Sequence, residues 1–474
     1  MMTKKLIYTM CATAMLACSG MTASAQALQS GYFMEGYTFR HLMNPAYAAE
    51  HNYVSIPVLG NVNVGTSGNV GLSKFLFPYQ GDQMTTFMNS SVSSDEFLSG
   101  LKDNNRINAN INMTLLAGGF QAWGGFNTVD LSLRSSSSVN LPYGLFEFMK
   151  LGMQGDQTSY DMSDLGISSS NYVQLAFGHS RDITDKLRVG GKLKVLMGLA
   201  HADVKMTDMH VEMNQDKWMV SANGEMNMAL KGLVVPTKEE SGRVIENQSQ
   251  ADLVDWDNID TDGVGLTGFG LGVDLGATYR LMDNLTLSAA VLDLGFLSWS
   301  NNVKAVTLNQ PWEFNGFQNI AVDSELGDDD PNSLKSQADA LGKDLENYAS
   351  FHRESTGGSS TSMLGATLNI GVEYALPMYD RLRFGFLSSS RLQGKYSWTE
   401  GRLSANITPL DWVDAGVNVA MSSFGASFGW IVNFHPKGFN FFVGMDQLMG
   451  KVNPQFIPVD NMNMNLSLGM NVTF

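Results

Sequence analysis

The stretch Asn463–Phe474, N-M-N-L-S-L-G-M-N-V-T-F, alternates between apolar and polar residues without a break. Every second residue from Met464 to Phe474 is apolar, and the residues between them are asparagine, serine, glycine or threonine. Successive side chains of a β-strand point to opposite faces, so this strand has one apolar face and one small polar face. In a soluble protein the apolar face would lie on a core. In a membrane-spanning barrel it would face lipid, with the polar face lining the lumen.

The first 25 residues predict a cleaved secretory signal peptide. Two lysines, Lys4 and Lys5, precede an apolar run that is too short to span a membrane as a helix, and Ala23-Ser24-Ala25 forms the expected cleavage site. A lipoprotein signal with Cys18 as the lipidated residue is the alternative, although residues 15–17 are a poor match to the sequence that precedes a lipidated cysteine. We therefore predict an exported protein.

Composition excludes several classes of function. Both cysteines, Cys11 and Cys18, lie in the predicted signal, so the mature chain has no disulfide, thiol nucleophile or zinc–thiolate site. Removal of the signal takes away two of the 30 basic residues and none of the 46 acidic ones, which leaves a net charge of −18 and argues against nucleic-acid binding. The 48 glycines and 10% aromatic content suit an all-β protein. Mean hydropathy is −0.08, as expected when only alternate residues face lipid.

Alternating stretches recur along the chain after an irregular segment, residues 26–52. Sixteen candidate strands lie at about 53–65, 107–117, 119–134, 171–180, 187–200, 203–213, 217–229, 264–280, 285–299, 363–376, 382–391, 396–407, 412–421, 425–434, 438–446 and 463–474. We expect residues 26–52 to form an N-terminal arm or a plug inside a lumen, and residues 53–474 to form the barrel.

The connections between these strands fall into two sets when counted back from Phe474. One set is short and rich in turn residues, at 435–438, 408–411, 377–381, 282–284 and 182–186. The other contains every long connection, at about 76–106, 135–170, 230–263, 300–362 and 447–462. Transmembrane barrels alternate short periplasmic turns with long outer loops, so this sorting favours a barrel over a soluble sandwich. Within the longest connection, residues 323–348 predict a short amphipathic helix.

Few residues of the chain point to chemistry. Gly425-Ala426-Ser427-Phe428-Gly429 has the spacing of a nucleophile elbow, but Ser427 lies in the middle of an alternating strand rather than on a strand-to-helix turn. The seven histidines show no metal-ligand spacing. We therefore predict no enzyme activity and no cofactor.

An acidic cluster and several lumen-facing charges are the candidate sites. Asp255, Asp257, Asp260 and Asp262 offer oxygen ligands for Ca²⁺, but their spacing is not that of an EF-hand, and a solvated acidic loop is the default interpretation. Charges on the polar faces of candidate strands are a second group, whose members are Arg188, Lys192, Lys194, Glu373, Arg383, Glu400 and Arg402. The last four lie on sequential strands and are expected to form one cross-strand network. Such charges either rigidify the lumen wall or form a polar constriction or head-group site for a permeant.

Several sequence blocks resemble a family of uncharacterised Bacteroidota outer-membrane proteins, defined as a domain of unknown function. The resemblance covers essentially the whole mature chain. The blocks are F-R-H-L-M-N-P-A-Y (39–47), D-K-L-R-V-G-G-K-L-K-V-L-M-G-L-A (185–200), Y-S-W-T-E-G-R-L-S-A-N (396–406), N-F-H-P-K-G-F-N-F-F-V-G (433–444) and P-Q-F-I-P-V (454–459). The resemblance implies a cell outer-membrane protein that contacts outer-membrane lipids.

A more distant resemblance is carried by Asn44, Pro45 and Ala46, which look like the Asn-Pro-Ala element of long-chain fatty-acid-transporter-like barrels. It implies a transmembrane antiparallel barrel of 14 strands, against the sixteen candidates above, with an N-terminal plug and long extracellular loops. A strand that ends on an aromatic residue, here Phe474, is also how such barrels present themselves to the barrel-assembly machinery. We thus expect a plugged channel for hydrophobic or amphipathic small molecules. The alternatives are a non-transporting docking or surface protein for partner proteins, and a soluble secreted β-protein.

Overall fold

A computed structural model describes residues 27–474 except 72–73, 80–83, 153–156, 215, 246–249, 309–310, 316–335, 337–339, 341–349 and 448–462. The predicted signal peptide therefore lies outside the described residues. So does the helix predicted within 323–348, apart from Ser336 and Ala340.

Fourteen antiparallel strand positions close into a barrel. They are β1 (Tyr53–Ser55 and Val62–Gly68), β2 (Asn104–Ala122), β3 (Gly125–Pro142), β4 (Gly166–Asp182), β5 (Leu187–Asn214), β6 (Trp218–Leu230 and Gly268–Met282), β7 (Leu285–Val306), β8 (His352–Met363 and Ala366–Leu376), β9 (Tyr379–Leu392), β10 (Trp398–Leu410), β11 (Val413–Ser422), β12 (Gly425–Phe434), β13 (Asn440–Met445) and β14 (Met464–Thr473). Closure is made by β14, which pairs with β13 on one side and with both segments of β1 on the other. The barrel thus confirms the predicted all-β class.

The count falls from sixteen candidates to fourteen at two places. The candidates 187–200 and 203–213 are one continuous strand, β5. The candidates 217–229 and 264–280 occupy one wall position, β6, because both segments pair with β5 in the same direction, with Leu230 opposite Ala200 and Gly268 opposite Gly198. Residues 231–267 are therefore an insertion within a wall position rather than a loop between two wall strands.

Two short strands, Gln157–Asp161 and Trp312–Phe314, extend the wall by pairing with the loop-end parts of β5 and β6. The other regular elements are the strands Leu76–Pro78 and Met84–Thr86, the helices α1 (Ser94–Leu98) and α2 (Tyr143–Leu151), and 3-10 turns at Gln29–Gly31 and Thr38–Leu42. Among the described residues, no helix has the length and apolarity needed to cross a bilayer.

Strand connections are sorted between the two ends of the barrel as the sequence predicts. Every connection at one end, which we call the turn end, is short. The other end, the loop end, carries all the long connections and also three short ones, residues 215–217, 393–397 and 423–424. Strand β5 is 28 residues long, far more than the roughly 9–11 that cross a bilayer, so the wall extends beyond the membrane at the loop end.

The wall is apolar outside and polar inside. On β14 the asparagines and serines Asn465, Ser467 and Asn471 are fully buried, whereas Val472 is exposed. The outward side chains of other strands, such as Leu193 and Ile370, are about half exposed. This arrangement confirms the orientation predicted for Asn463–Phe474, and it is the polarity of a wall that faces lipid.

Leu275 provides a test of the lipid-facing band. Its side chain points outward from the middle of the wall and is 55% exposed. If lipid surrounds this band, Leu275→Arg is expected to lower folding stability by about 2–4 kcal/mol, because the guanidinium lies in hydrocarbon. Val244→Arg is the matched control, since Val244 is 89% exposed in the insertion at the loop end and is expected to tolerate the change.

Urea titration in phospholipid vesicles, with folded and unfolded protein separated by gel migration without boiling, measures both variants. Equal stability of Leu275→Arg and Val244→Arg would place Leu275 in water and contradict a membrane-spanning wall.

Residues 27–52, which we call the plug, lie inside the barrel. Strands from all around the wall contact this segment. The Tyr32 hydroxyl is 3.1 Å from the Ser288 hydroxyl of β7, Asn369 of β8 donates to the Met43 carbonyl oxygen at 2.9 Å, and Asn440 of β13 donates to a plug carbonyl oxygen at 3.3 Å. The plug's aromatic residues form a buried core with inward side chains of the wall, including Phe126 and Phe442 at positions far apart on the circle. A segment in contact with opposite walls fills the lumen.

Candidate functional site

A chamber lies in the lumen on the loop-end side of the plug, and its empty space of about 830 Å³ includes space that is open to solvent. Leu42 and Met43 of the plug contribute to its floor. Its apolar lining also includes Leu292, Trp398 and Phe424. Polar and charged residues make up most of the remaining lining, namely Gln29, Arg134, Gln174, Lys192, Lys194, Asp274, Asp293, Thr367, Asn369, Glu400, Arg402, Ser422, Asp446 and Gln447. The chamber is therefore amphipathic.

The short connection 393–397 crosses the mouth of the lumen. It joins β9 to β10, yet its contacts lie on the opposite side of the barrel. Arg106 of β2 donates to the Ser397 carbonyl oxygen at 3.0 Å, and the Lys395 ammonium donates to the Asp164 carbonyl oxygen, just before β4, at 3.1 Å. We call residues 393–397 the roof, because they span the barrel above the chamber.

Lys194 is held between two aspartates in the chamber wall. Its ammonium lies 2.6 Å from a carboxylate oxygen of Asp274 on β6 and 2.6 Å from one of Asp293 on β7. The backbone N–H of Asp293 also donates to Asp274 at 2.7 Å. All three side chains are buried, so this triad carries one uncompensated negative charge within itself.

Lys192 fixes the plug to the wall. Its ammonium lies 3.2 Å from Asp130 of β3 and donates to His41 of the plug at 3.0 Å. The other ring nitrogen of His41 is 2.9 Å from the Tyr53 hydroxyl. Burial, with Lys192 beside the ring, lowers the pKa of His41 to about 3, so the ring is neutral at physiological pH and accepts from the ammonium.

The start of the plug is bound by Asp446, which follows β13. Its carboxylate accepts from the backbone N–H groups of Gln29 and Ser30, at 2.8 and 2.6 Å, and from the Ser30 hydroxyl at 2.6 Å. Arg402 donates to the Asp446 carbonyl oxygen at 3.1 Å and to Glu400 at 2.6 and 3.0 Å. The carboxylates of Asp446 and Glu400 are thus both satisfied by protein donors.

The four charges that were predicted to form one network lie in two separate groups in the structure. Arg402 pairs with Glu400 in the chamber. Arg383 instead pairs with Glu373 at 3.1 Å and with Glu35 of the plug at 2.6 Å. Register explains the separation, because Glu400 lies opposite Ser389 on β9 whereas Arg383 is six residues farther toward the turn end.

Arg188, the remaining predicted lumen charge, lies outside the chamber. Its guanidinium pairs with Asp182 at 3.2 Å near the turn between β4 and β5, where the Asp182 side chain is exposed. Lys192 and Lys194, on the same strand, do face the chamber.

The Asn44-Pro45-Ala46 element is seated against glycines of the wall. Asn44 donates at 3.3 Å to the carbonyl oxygens of Ala277 and Ala289 on β6 and β7, and its own side-chain oxygen accepts from the Ala46 N–H at 2.9 Å. A Cβ atom added at Gly190 of β5 would overlap the Pro45 backbone. Small wall residues thus admit this turn.

The acidic cluster of the insertion is paired with an arginine. Arg243 donates to Asp255 at 3.1 Å and to Asp257 at 3.0 Å. Burial alone raises the pKa of Asp255, but hydrogen bonds from Asn258 and Arg243 outweigh that effect and hold the pKa at about 2. A guanidinium therefore occupies the space between these two carboxylates. The described residues contain no group of three or more acidic or histidine ligands placed to hold a metal ion, so the candidates Asp260 and Asp262 are not brought together with them.

The chamber residues that were not predicted from the sequence include Arg134, Gln174, Asp293 and Asp446. Arg134 was detectable, because Leu131 and Leu133 alternate with it on β3 and set it on the polar face. Asp293 has a positive φ of 59°, which breaks the alternation around it, and Asp446 follows the end of β13. Gln174 carries no charge and lies in a regularly alternating strand, so nothing in the sequence distinguishes it from other lumen-facing residues.

The fold and the filled lumen are those of a plugged transmembrane β-barrel. Residues 45–446 match the family of unknown function DUF5723, and the chain belongs to that family. No curated protein matches the sequence.

Among solved structures, the chain is similar to the Ralstonia pickettii toluene transporter TbuX, with 10% identity over 92% of this chain and 93% of that chain and a TM-score of 0.42. It is also similar to the P. putida toluene transporter TodX (9% identity, 91% of each chain, TM-score 0.38). A third similar structure is a Pseudomonas aeruginosa FadL homologue (10% identity, 95% of this chain and 99% of that chain, TM-score 0.36).

Proposed function

We propose that this protein is an outer-membrane channel that takes up small amphipathic molecules into a chamber closed by its plug. The observation that supports the proposal is the amphipathic chamber between the roof and the plug. The turn end faces the periplasm and the loop end faces the outside, as in other barrels of this kind.

The chamber lining favours an amphipathic permeant over a purely apolar one. Trp398 and Phe424 offer apolar surface at the same depth as charged groups such as Lys194. If a purely apolar molecule entered the chamber, the charged groups of the lining would lose contact with water and gain no new partner. A molecule with one polar end can pair with those charged groups while its apolar part contacts the apolar lining.

A second candidate is a docking platform for partner proteins, favoured by the structure at the loop end. There the insertion 231–267 packs Val235 and Val254 against wall residues such as Met226 and Ala305, forming an apolar cluster beyond the membrane. Helices α1 and α2 belong to a second such cluster, around Phe97 and Phe146. Rigid folded surface of this kind is suited to protein recognition.

Uptake by cells distinguishes the two candidates. We expect a Gram-negative host that expresses the protein to take up radiolabelled octanoate several-fold faster than the same host with an empty vector, because the chamber provides a route through the outer membrane. Sucrose, which has no apolar end, serves as the control solute and is expected to enter equally slowly in both strains. Equal octanoate uptake in the two strains, together with a protein that co-purifies with the barrel, would contradict the channel and support docking.

A further inference from the structure

One side of the chamber contains buried polar groups that the protein does not satisfy. Both side-chain atoms of Gln174, Oε1 and Nε2, lack a hydrogen-bond partner among the described residues, although the side chain is only 1% exposed. The same holds for Nε of Arg134 and the hydroxyl of Thr367. All three residues line the chamber. Native proteins pair nearly all such groups, so three residues with unpaired donors on one side of a cavity indicate a site for a ligand or for water.

The unpaired groups lie on strands β3, β4 and β8, which flank the strands of the Lys194–Asp274–Asp293 triad. Arg134 on β3 is opposite Tyr172, and Gln174 is the next inward residue on the same strand, β4. Thr367 on β8 is paired with Leu292 on β7 and with Arg391 on β9. These residues form an arc around the Lys194–Asp274–Asp293 triad.

The arc has more positive than negative charge. Arg134, Lys194 and Arg391 are three cations, against two carboxylates, and Asp293 lies within electrostatic range of all three cations. Among the described residues, neither Arg134 nor Arg391 has a carboxylate within the 4.0 Å of an ion pair, since both aspartates are bound to Lys194. One positive charge therefore remains uncompensated in a buried setting, which is costly unless an anion joins it.

The opposite side of the chamber presents acceptors instead. Arg402 binds Glu400, and the plug's N–H groups bind Asp446. The unpaired chamber atoms described on that side are the side-chain oxygens of Gln29 and Gln447, which are neutral and cannot donate to an anion. An oxyanion is therefore expected on the side of Arg134, which has no carboxylate partner among the described residues.

We propose that Arg134, Gln174 and Thr367 bind an oxyanion group, a carboxylate or a phosphate monoester, at the end of a small organic molecule. This inference rests on the proposed function and names the polar end of its substrate. Guanidinium, amide N–H and hydroxyl groups all donate to oxyanions, and the guanidinium bond is charge-assisted. The rest of the molecule lies against Leu292, which neighbours Thr367, and against Trp398, which neighbours Arg391.

Equilibrium binding of radiolabelled eight-carbon probes to the purified full-length barrel in neutral detergent tests the site. We expect octanoate or octyl phosphate to bind at least tenfold more tightly than 1-octanol and octylamine, which share the chain but carry no charge or a positive one. The comparison of octanoate with octyl phosphate identifies the preferred oxyanion. Acetate and inorganic phosphate are expected to bind weakly, because they lack the apolar part.

Two variants remove the donors, and one serves as a matched control. Arg134→Gln, which removes the charge, and Gln174→Leu, which removes the amide, are each expected to weaken octanoate or octyl phosphate binding at least tenfold. Gln174→Leu removes an unpaired amide and so should fold at least as stably as the parent. Arg188→Gln removes an arginine that pairs with Asp182 away from the chamber, and its binding should equal that of the parent.

Equal binding of octanoate, octanol and octylamine, or full binding by the folded Gln174→Leu variant, would overturn the oxyanion site. Failure of the channel is seen separately, because binding by the purified barrel does not require transport. A protein that binds octanoate at this site yet gives no uptake in cells would retain the site and lose the proposed function.

Discussion

Replacing Gly190 by alanine is expected to unseat the plug and open the lumen. A Cβ atom at this position would lie closer than 3.0 Å to the carbonyl oxygen and carbon of Pro45, and these are backbone atoms that no side-chain rotation can move away. The proline ring fixes its own φ, and Asn44 is tied to the carbonyl oxygens of Ala277 and Ala289. The turn must therefore leave the wall as a unit. Overpacking of this kind costs about 1–3 kcal/mol, comparable to the worth of the few hydrogen bonds that hold the turn.

Gly191→Ala is the matched control for Gly190→Ala. The two glycines are adjacent on β5 and both changes restrict the unfolded chain equally, but a Cβ at Gly191 has its nearest neighbours at 3.8 Å, an ordinary contact distance. Planar-bilayer recordings should show a several-fold larger open-state conductance, or more frequent openings, for Gly190→Ala than for either the parent or Gly191→Ala. The parent's conductance in a folded Gly190→Ala variant would mean that the Asn44–Ala46 turn does not close the lumen.

Strand direction and loop sorting could be predicted because a lipid-facing wall imposes a period of two on every strand. The two excess candidates arose where that period is interrupted. On β5 the register shifts between Asn171 and Tyr172 of the partner strand, which leaves Leu199 unpaired, so the alternation changes phase and one strand reads as two. On β6 the insertion 231–267 separates two segments that share a wall position, and only the pairing of both with β5 shows it.

The inward direction of Lys192 and Lys194 could be predicted from the same alternation, whereas their partners could not. Asp274 and Asp293 lie about 80 and 100 residues away along the chain, and their approach depends on the register between β5, β6 and β7. The same limit applies to the four-charge network, since adjacency of strands does not fix the height at which each charge lies. Asp446 lies beyond the end of a strand, where alternation carries no information.

The contacts of the plug also could not be predicted from the sequence pattern. Residues 26–52 follow neither helical nor strand periodicity, because the segment is shaped by the wall around it. Glycines such as Gly190, Gly276 and Gly385 leave room for Pro45, Asn44 and Phe33, respectively, and their spacing along the chain gives no sign of a common partner.

Lys194→Met is expected to be the most destabilising single substitution in the lumen. Methionine keeps the length and apolar stem of the lysine but leaves Asp274 and Asp293 buried, close together and without the ammonium that pairs with both of them. Removal of one partner from a buried ion pair costs about 3–5 kcal/mol, because the remaining charge cannot recover its hydration. Here one cation serves two carboxylates, each 2.6 Å from its ammonium.

Two comparisons separate lost pairing from lost packing in Lys194→Met. Lys217→Met removes a lysine that is also 2.6 Å from a carboxylate, that of Glu313, but both of those side chains are well exposed, so the loss should be at most about 1 kcal/mol. Lys194→Met combined with Asp274→Asn and Asp293→Asn removes all three charges and should recover most of the stability. Urea titrations of vesicle-inserted protein measure these differences. If Lys194→Met unfolds at the same urea concentration as Lys217→Met, the buried carboxylates are hydrated by water in the chamber, and the uncompensated charge there is smaller than the geometry indicates.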